Sequence, residues 1–158
     1  MFSEPSSADT AFMEQALTLA GRAGELGEIP VGAIAVREGL VVGRGYNRRE
    51  VDKDPFAHAE LIALRQAAAN LDAWRLVNVV LYVTLEPCAM CAGAMVQARI
   101  AKLVYGADDP KAGAVGSLYN LAEDARHNHR IAVIRGVLAD EGRKLLVDFF
   151  QGLRVKQG

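Results

Sequence analysis

Hydrophobic residues recur along this chain with two different periods, and the switches between them mark out the elements. Apolar side chains at Phe12, Ala16, Leu19, Ala20 and Ala23 have the spacing of one helical face. Asp9 or Thr10 is suited to cap that helix, and Gly24 to Gly27 mark its end. Val31 to Val36 and Leu40 to Tyr46 are apolar, β-branched runs joined at Glu38-Gly39. They read as a hairpin, although glutamate is not a favoured residue at the first turn position. A second helix is expected from His58 through Leu61, Ile62, Leu64, Arg65 and Ala68, followed by a fully buried strand from Asn78 to Thr84. Pro87 is expected to open a third helix, since proline suits the first helical position. Strands should follow at Ile100 to Tyr105 and Ile131 to Ile134. A last amphipathic helix is expected from Ala139 to about Val155, with Leu145, Leu146, Phe149 and Phe150 on its apolar side.

A helix, a hairpin and then strands alternating with helices predict a three-layer α/β/α sandwich around a central five-stranded mixed sheet. No repeat, low-complexity tract or linker divides the 158 residues, so a single domain over 1–158 is expected. Residues 1–8 are small and polar and are expected to fray. Hydrophobic residues at 51% and charged residues at 23% give the balance of a soluble folded protein. Lys plus Arg is 18 against 19 for Asp plus Glu, a net charge of -1 that neither demands nor excludes a nucleic-acid partner. The opening MFSEPSSADT lacks the basic and apolar regions of a secretory signal. No apolar run reaches the roughly 18 residues that span a bilayer, so no membrane partner is expected. The only cysteines, Cys88 and Cys91, lie three positions apart and cannot form a long-range staple within the chain. A cytoplasmic protein with reduced thiols is the expectation.

Two segments carry candidate chemistry: Ala57-His58-Ala59-Glu60 and Pro87-Cys88-Ala89-Met90-Cys91. Both fall where a helix is expected to start. Cys88 and Cys91, at i and i+3, lie on one helical face and can hold the same ion. The positive end of the helix dipole favours their metal-binding thiolates. His58 adds a neutral third ligand. Three protein ligands leave the fourth position of a tetrahedral zinc open, the mark of a catalytic rather than a structural site. Two thiolates and one imidazole bring such a site to a formal charge of zero. Water there is acidified less than at an all-histidine site, so a nearby proton acceptor becomes useful. Glu60 is placed in sequence to take that proton and return it to a departing nitrogen, which suits hydrolytic loss of ammonia from an amidine-like ring carbon. Each half also has a plainer reading. His58 could be a packed or capping residue, Cys88 and Cys91 a redox pair, and His127 or His129 could close a structural zinc site.

The pattern His-x-Glu with Pro-Cys-x-x-Cys is the known signature of zinc deaminases. The sequence closely resembles the TadA-type tRNA-specific adenosine deaminases of the cytidine-deaminase-like superfamily. The resemblance runs from Ile29-Pro30-Val31-Gly32-Ala33 to Asp148-Phe149-Phe150 and includes Gly45-Tyr46-Asn47, His58-Ala59-Glu60 and Thr84-Leu85-Glu86-Pro87-Cys88. It continues through Gly106-Ala107-Asp108-Asp109-Pro110-Lys111, Gly116-Ser117-Leu118 and Asn128-His129. The resemblance implies a cytidine-deaminase-like fold, one Zn2+ per subunit, a homodimer, and as substrate the wobble adenosine of a tRNA anticodon stem-loop, converted to inosine. It implies that Asn47 bonds the purine, that the Ala59 N–H faces the atom that becomes the inosine oxygen, and that the helix start at Pro87 and Cys88 stabilises charge beside the metal. Asp109, Lys111 and Asn128 match positions that contact flanking ribose and phosphate. Phe149 or Phe150 matches an aromatic that packs on a loop base. A deaminase of free guanine, cytosine or a nucleoside is the alternative on the same fold. Some family members end in a lysine-rich tail, whereas this sequence closes with Arg154-Val155-Lys156-Gln157-Gly158. Gly142 interrupts the last helix with no evident reason in the sequence.

Overall fold

The structure, a computed structural model, describes residues 4–157. Its elements are α1 (Ser7–Glu25), β1 (Gly32–Arg37), β2 (Leu40–Tyr46), α2 (Ala59–Leu71), β3 (Val79–Leu85), α3 (Ala89–Ala98), β4 (Lys102–Ala107), β5 (Ala132–Ile134) and α4 (Ala139–Gln157). The sheet runs β2-β1-β3-β4-β5. β1 is antiparallel to both β2 and β3, while β3, β4 and β5 are mutually parallel. Helices α2 and α3 cover one face and α1 and α4 the other, which is the three-layer sandwich with a five-stranded mixed sheet that the element order predicts.

Side-chain alternation along the strands divides the core between the two faces. Ala33, Ala35, Leu81, Val83, Leu103 and Tyr105 pack beneath α2 and α3. Ile34, Val36, Tyr82, Val104 and Ile134 pack beneath α1 and α4. Glycine lets the helices lie directly on the sheet. A Cβ at Gly43 or Gly45 in β2 would stand 2.2 Å from the Ala63 carbonyl or 2.3 Å from that of Ala59, so α2 can approach only a bare backbone. The hairpin turn has φ of 53° at Glu38 and 77° at Gly39, the left-handed pair of a two-residue turn, so the strands' twist overrides the poor fit of glutamate.

Four local expectations are corrected. The cap of α1 is Ser6, not Asp9 or Thr10. The Ser6 side chain accepts from the Asp9 N–H at 3.1 Å and the Asp9 carboxylate accepts from the Ser6 N–H at 2.9 Å, a reciprocal capping box. Ser7 and Ala8 are therefore helical rather than frayed, and residues 1–3 lie outside the described residues. Pro87 does not open α3. It precedes Cys88, whose extended φ of -74° and ψ of 175° make Cys88 the cap and Ala89 the first helical residue. In α4, Leu145, Leu146 and Phe149 are half-buried, but Phe150 is 41% exposed and stands on the open side.

Gly142 acquires a reason. It is the point where α4 crosses the end of β3, and a Cβ there would stand 2.9 Å from the Thr84 carbonyl oxygen. Gly152, ten residues further along the same helix, has open space around it. Opposite outcomes follow. Gly152→Ala should raise stability by about 1 kcal/mol, or about 2–4 °C in Tm. Gly142→Ala should lower it by about 1–3 kcal/mol, as overpacking does. Thermal melts of the two variants check this, and equal shifts would refute the contact.

Asp9 links that first turn to the sheet, because its carboxylate also accepts from the Tyr82 hydroxyl at 2.7 Å and lies 3.8 Å from the Lys102 ammonium. Burial opposes its ionisation, but the hydrogen bonds from Ser6 and Tyr82 and the Lys102 charge outweigh that and hold its pKa below the ordinary 3.8. A depressed carboxyl pKa stabilises the fold above the ordinary value, and the benefit is lost as pH falls through the folded value. Asp9→Asn should therefore cost about 1–3 kcal/mol at neutral pH. Urea titrations should show the gap between variant and parent closing below pH 3.8. A gap independent of pH would show that the charge does not matter.

Candidate active site

Four chain ends converge at one edge of the sheet: the carboxyl ends of β2, β3 and β4 and the start of β1. Such edges are where α/β sheets place ligands. The cleft there has a volume of about 240 Å³ and is lined by side chains from every segment that reaches it. Asn47 and Arg49 follow β2, His58, Ala59 and Glu60 begin α2, Leu85, Glu86 and Cys88 end β3, and Asp109 and Ala112 follow β4.

His58 is the cap residue of α2 and Cys88 that of α3, and neither side chain caps its own helix. Both are therefore free to turn toward each other. Cys91, one turn into α3, completes the group. The His58 Nδ1 lies 3.7 Å from the Cys88 sulfur and 3.5 Å from that of Cys91, and the three donor atoms all lie within 4.8 Å of one another. Nδ1 is thus the ring nitrogen that faces the sulfurs. Tetrahedral zinc, with bonds of about 2.3 Å to sulfur and about 2.0–2.1 Å to nitrogen, holds its S and N ligands about 3.6 Å apart. The cluster fits that geometry, and its soft sulfur and imidazole donors fit zinc chemically. Among the described residues no fourth His, Cys, Asp or Glu joins the group. His129 is not a ligand, since its Nε2 faces the Ile100 carbonyl at 2.7 Å, beyond the opposite end of β4.

The thiols share a proton unequally. A hydrogen bond from Cys91, together with His58, pushes the Cys88 thiol down to about 4, while Cys91 is raised because it holds the proton that the Cys88 sulfur accepts. Hydrogen bonding to Cys88 raises the pKa of His58. Glu60 is 4% exposed and sits against Cys91. Burial is the main cause that moves its carboxyl up to about 7. A carboxyl so placed can hold or release a proton near neutrality, inside the cleft that also contains the three-donor cluster.

Asn47 is buried, donates from Nδ2 to the Ile29 carbonyl at 3.2 Å and accepts the Arg49 N–H at 3.2 Å, which fixes its amide in the cleft wall. The Ala59 N–H, at the first position of α2, has no acceptor within its own helix. Pro87 is buried behind Cys88, and its carbonyl accepts from the Ala114 N–H at 2.8 Å. Asp109 lines the cleft and also makes a turn, its Oδ1 accepting from the N–H groups of Lys111 and Ala112 at 3.1 and 3.3 Å. Lys111 is outside the cleft, in a shallow groove with Phe150, Leu153 and Arg154. Phe149 stacks edge-on against Phe150 with centroids 5.4 Å apart, so Phe150 rather than Phe149 faces that groove. Asn128 is exposed in the segment before β5, at the other end of the sheet from the cleft within one chain.

Two buried acids, neither given a role from the sequence, hold the cleft's rims. Glu28 is 1% exposed and accepts the N–H groups of Glu50 and Val51 at 3.1 and 2.9 Å, pinning the segment that carries Arg49. Glu86 does the same for the segment after β4, accepting from Asp109, Val115 and Ser117. A glutamate beside the apolar Ile29-Pro30-Val31 and another before Pro87 were the available signals. Their partners are backbone N–H groups 22 to 31 residues away, which no side-chain pattern reveals.

Residues 7–154 match the family model of the MafB19-like deaminases. The chain is 50% identical over 150 residues to a tRNA-specific adenosine deaminase of Haemophilus influenzae, covering 94% of this chain and 87% of that protein. It is 45% identical over 149 residues to that of Bacillus subtilis, covering 94% and 92%. A solved structure from a study of A-to-I editing by tRNA:A34 deaminases at the wobble position of transfer RNA superposes with a TM-score of 0.84 at 44% identity, over 87% of this chain and 99% of that one. A guanine deaminase from Nitrosomonas europaea shares the fold at a TM-score of 0.74 and 27% identity, over 89% and 83%. The sandwich is thus the cytidine-deaminase-like fold that the motifs implied. With identity this high over nearly the whole of each partner, the chain belongs to the tRNA-specific adenosine deaminases.

Proposed function

We propose that this chain deaminates the wobble adenosine of a tRNA anticodon loop to inosine, with one zinc ion held by His58 Nδ1, Cys88 and Cys91. The observation that carries the reading is the buried Glu60 beside a three-donor cluster with no fourth protein ligand among the described residues. A structural zinc site has no use for such a carboxylate. Zinc, when bound, supplies Lewis acidity and a hydrolytic nucleophile near neutral pH.

The chain's own residues do the remaining work. Water supplies the oxygen that bonds to C6 of the adenine, and the C6–N6 bond breaks with release of ammonia. Glu60 accepts a proton from that water and passes it on, so that of the water's two protons one ends on ring N1 and one on the leaving nitrogen, and Glu60 ends the cycle as it began. Asn47, its amide fixed by Ile29 and Arg49, offers its remaining hydrogen-bonding capacity to the purine edge. The Ala59 N–H, free of the helix ladder, is a donor for the oxygen forming at C6. A cleft of this size admits one base, so the nucleotide must be extruded from its loop, as single-stranded RNA permits. Asp109, Lys111 and Phe150 then lie on the side toward flanking nucleotides.

Asn128 is the exception to this arrangement. Its distance from the cleft in one chain is reconciled with a substrate contact if the enzyme is a homodimer in which each copy supplies Asn128 to the other's site.

Ammonia release and zinc content measured together test the proposal. An anticodon stem-loop with a wobble adenosine should be deaminated far faster than free adenosine, cytidine, cytosine or guanine. A free base turned over as fast as the stem-loop would overturn the substrate assignment. Glu60→Ala should retain zinc yet lose about 10²–10⁴-fold in kcat, the usual worth of a general acid–base group. A variant that kept its activity would remove Glu60 from the proton path.

A further inference from the structure

Glu86 is a buried acid that this reaction does not use. It is 2% exposed, two residues before Cys88, and no cation pairs with its carboxylate among the described residues. Instead four donors converge on it. Oε1 accepts the Asp109 N–H at 3.0 Å and the Ser117 hydroxyl, while Oε2 accepts the N–H groups of Val115 and Ser117, each at 3.0 Å. Gly113 lies flat against the carboxylate, and a Cβ there would stand 2.2 Å from its carbon. The Glu86 N–H in turn donates to the Ala107 carbonyl at 2.8 Å. One residue therefore joins the end of β3, the end of β4 and both arms of the 109–117 loop.

That loop also adheres to the metal-ligand segment. Ala114 donates to the Pro87 carbonyl, and Cys88 and Gly113 form a β-bridge. The bridge fixes the middle of the loop, and Glu86 fixes its start at Asp109. Asp109 then holds Lys111 and Ala112 through its own carboxylate, so the orientation of this rim descends from Glu86. We propose that Glu86 is a positioning residue for substrate, which sets Asp109 and the rim after β4 relative to Cys88 and takes no part in proton transfer. The inference rests on the substrate reading above for the choice of ligand but not for the geometry.

Replacement by glutamine makes the role separable. The isosteric amide has one oxygen for four donors. Its NH2 group sits most easily at the Oε1 place, where the Ser117 hydroxyl can rotate to accept and only the Asp109 N–H is left opposed. Glu86→Gln should therefore release Asp109 while keeping Val115 and Ser117. With the anticodon stem-loop as substrate, KM should rise by about tenfold to a hundredfold while kcat and zinc stoichiometry stay near those of the parent, since displacement of a binding group acts on binding. Amide hydrogen exchange should quicken at Asp109 more than at Val115 or Ser117, whatever the substrate proves to be. A parent enzyme inactive on the stem-loop would overturn the substrate reading alone, leaving hydrogen exchange to decide the role of Glu86. An unchanged KM on an accepted substrate, a fall in kcat alone, loss of zinc, or equal exchange at the three amides would each overturn the proposal. Should Glu86→Gln fail to fold, Ser117→Ala removes one donor to Oε1. It should raise KM in the same direction by a smaller factor, and no rise would likewise overturn the role.

Discussion

The molecule depends on two helix starts meeting at one edge of a sheet. A helix's first turn presents unpaired N–H groups, and a cap side chain usually folds back to satisfy them. At α2 and α3 the cap residues are His58 and Cys88, and neither folds back. Their donor atoms are consequently free to converge with that of Cys91. Convergence requires α2 to lie close on the sheet, and Gly43 and Gly45 in β2 permit that approach by presenting no side chain to its backbone. The metal-ligand cluster is therefore a product of packing on the β2 and β3 side of the molecule. The other face, with α1 and α4, supports the sheet without contributing a ligand.

Around that cluster the cleft is built from loops, and loops need anchors. Glu28 and Glu86 solve the same problem on opposite rims. Each is a buried carboxylate that gathers N–H groups from a distant loop rather than meeting a cation. Charge-assisted hydrogen bonds of this kind are roughly twice as strong as neutral ones, so a loop without regular structure can be held nearly as firmly as a strand. Arg49 and Asp109, which line the cleft from those loops, are thereby carried on fixed supports.

Much of this was legible in the sequence, for reasons that differ by residue. The strands were plain because their two-residue period and β-branched content survive any tertiary arrangement, and the ligand set was plain because His58, Cys88 and Cys91 sit in spacings that few other roles require. Helix boundaries shifted where a side chain's partner decided the outcome. Asp9 is as good a cap as Ser6 by residue type, and only the reciprocal bonds between them show which one caps. Gly142 was unexplained because its reason is the Thr84 carbonyl, 58 residues away along the chain but in van der Waals reach through the fold. Phe149 and Phe150 could not be told apart, since adjacent aromatics near the end of a helix differ only in which one the sheet-side packing claims. The choice of Nδ1 over Nε2 in His58 depends on ring orientation, which no sequence encodes locally.

The comparison with a guanine deaminase sharpens where specificity resides. At 27% identity that enzyme shares the fold, so the sandwich supports deamination of a free base as well as the editing studied in the wobble-position relative. A cleft that admits one base cannot by its floor alone distinguish a free purine from a nucleotide within a polymer. Discrimination must therefore come from groups beyond the base: those on the rims, which meet the flanking ribose and phosphates when they exist and meet water when they do not. In this chain the rims of the cleft are the segments that Glu28 and Glu86 hold, and beyond them lies the groove where Lys111, Phe150 and Arg154 come together. Anchoring such groups in advance lowers the ordering cost when a loop of RNA docks, and it gives nothing to a substrate too small to reach them.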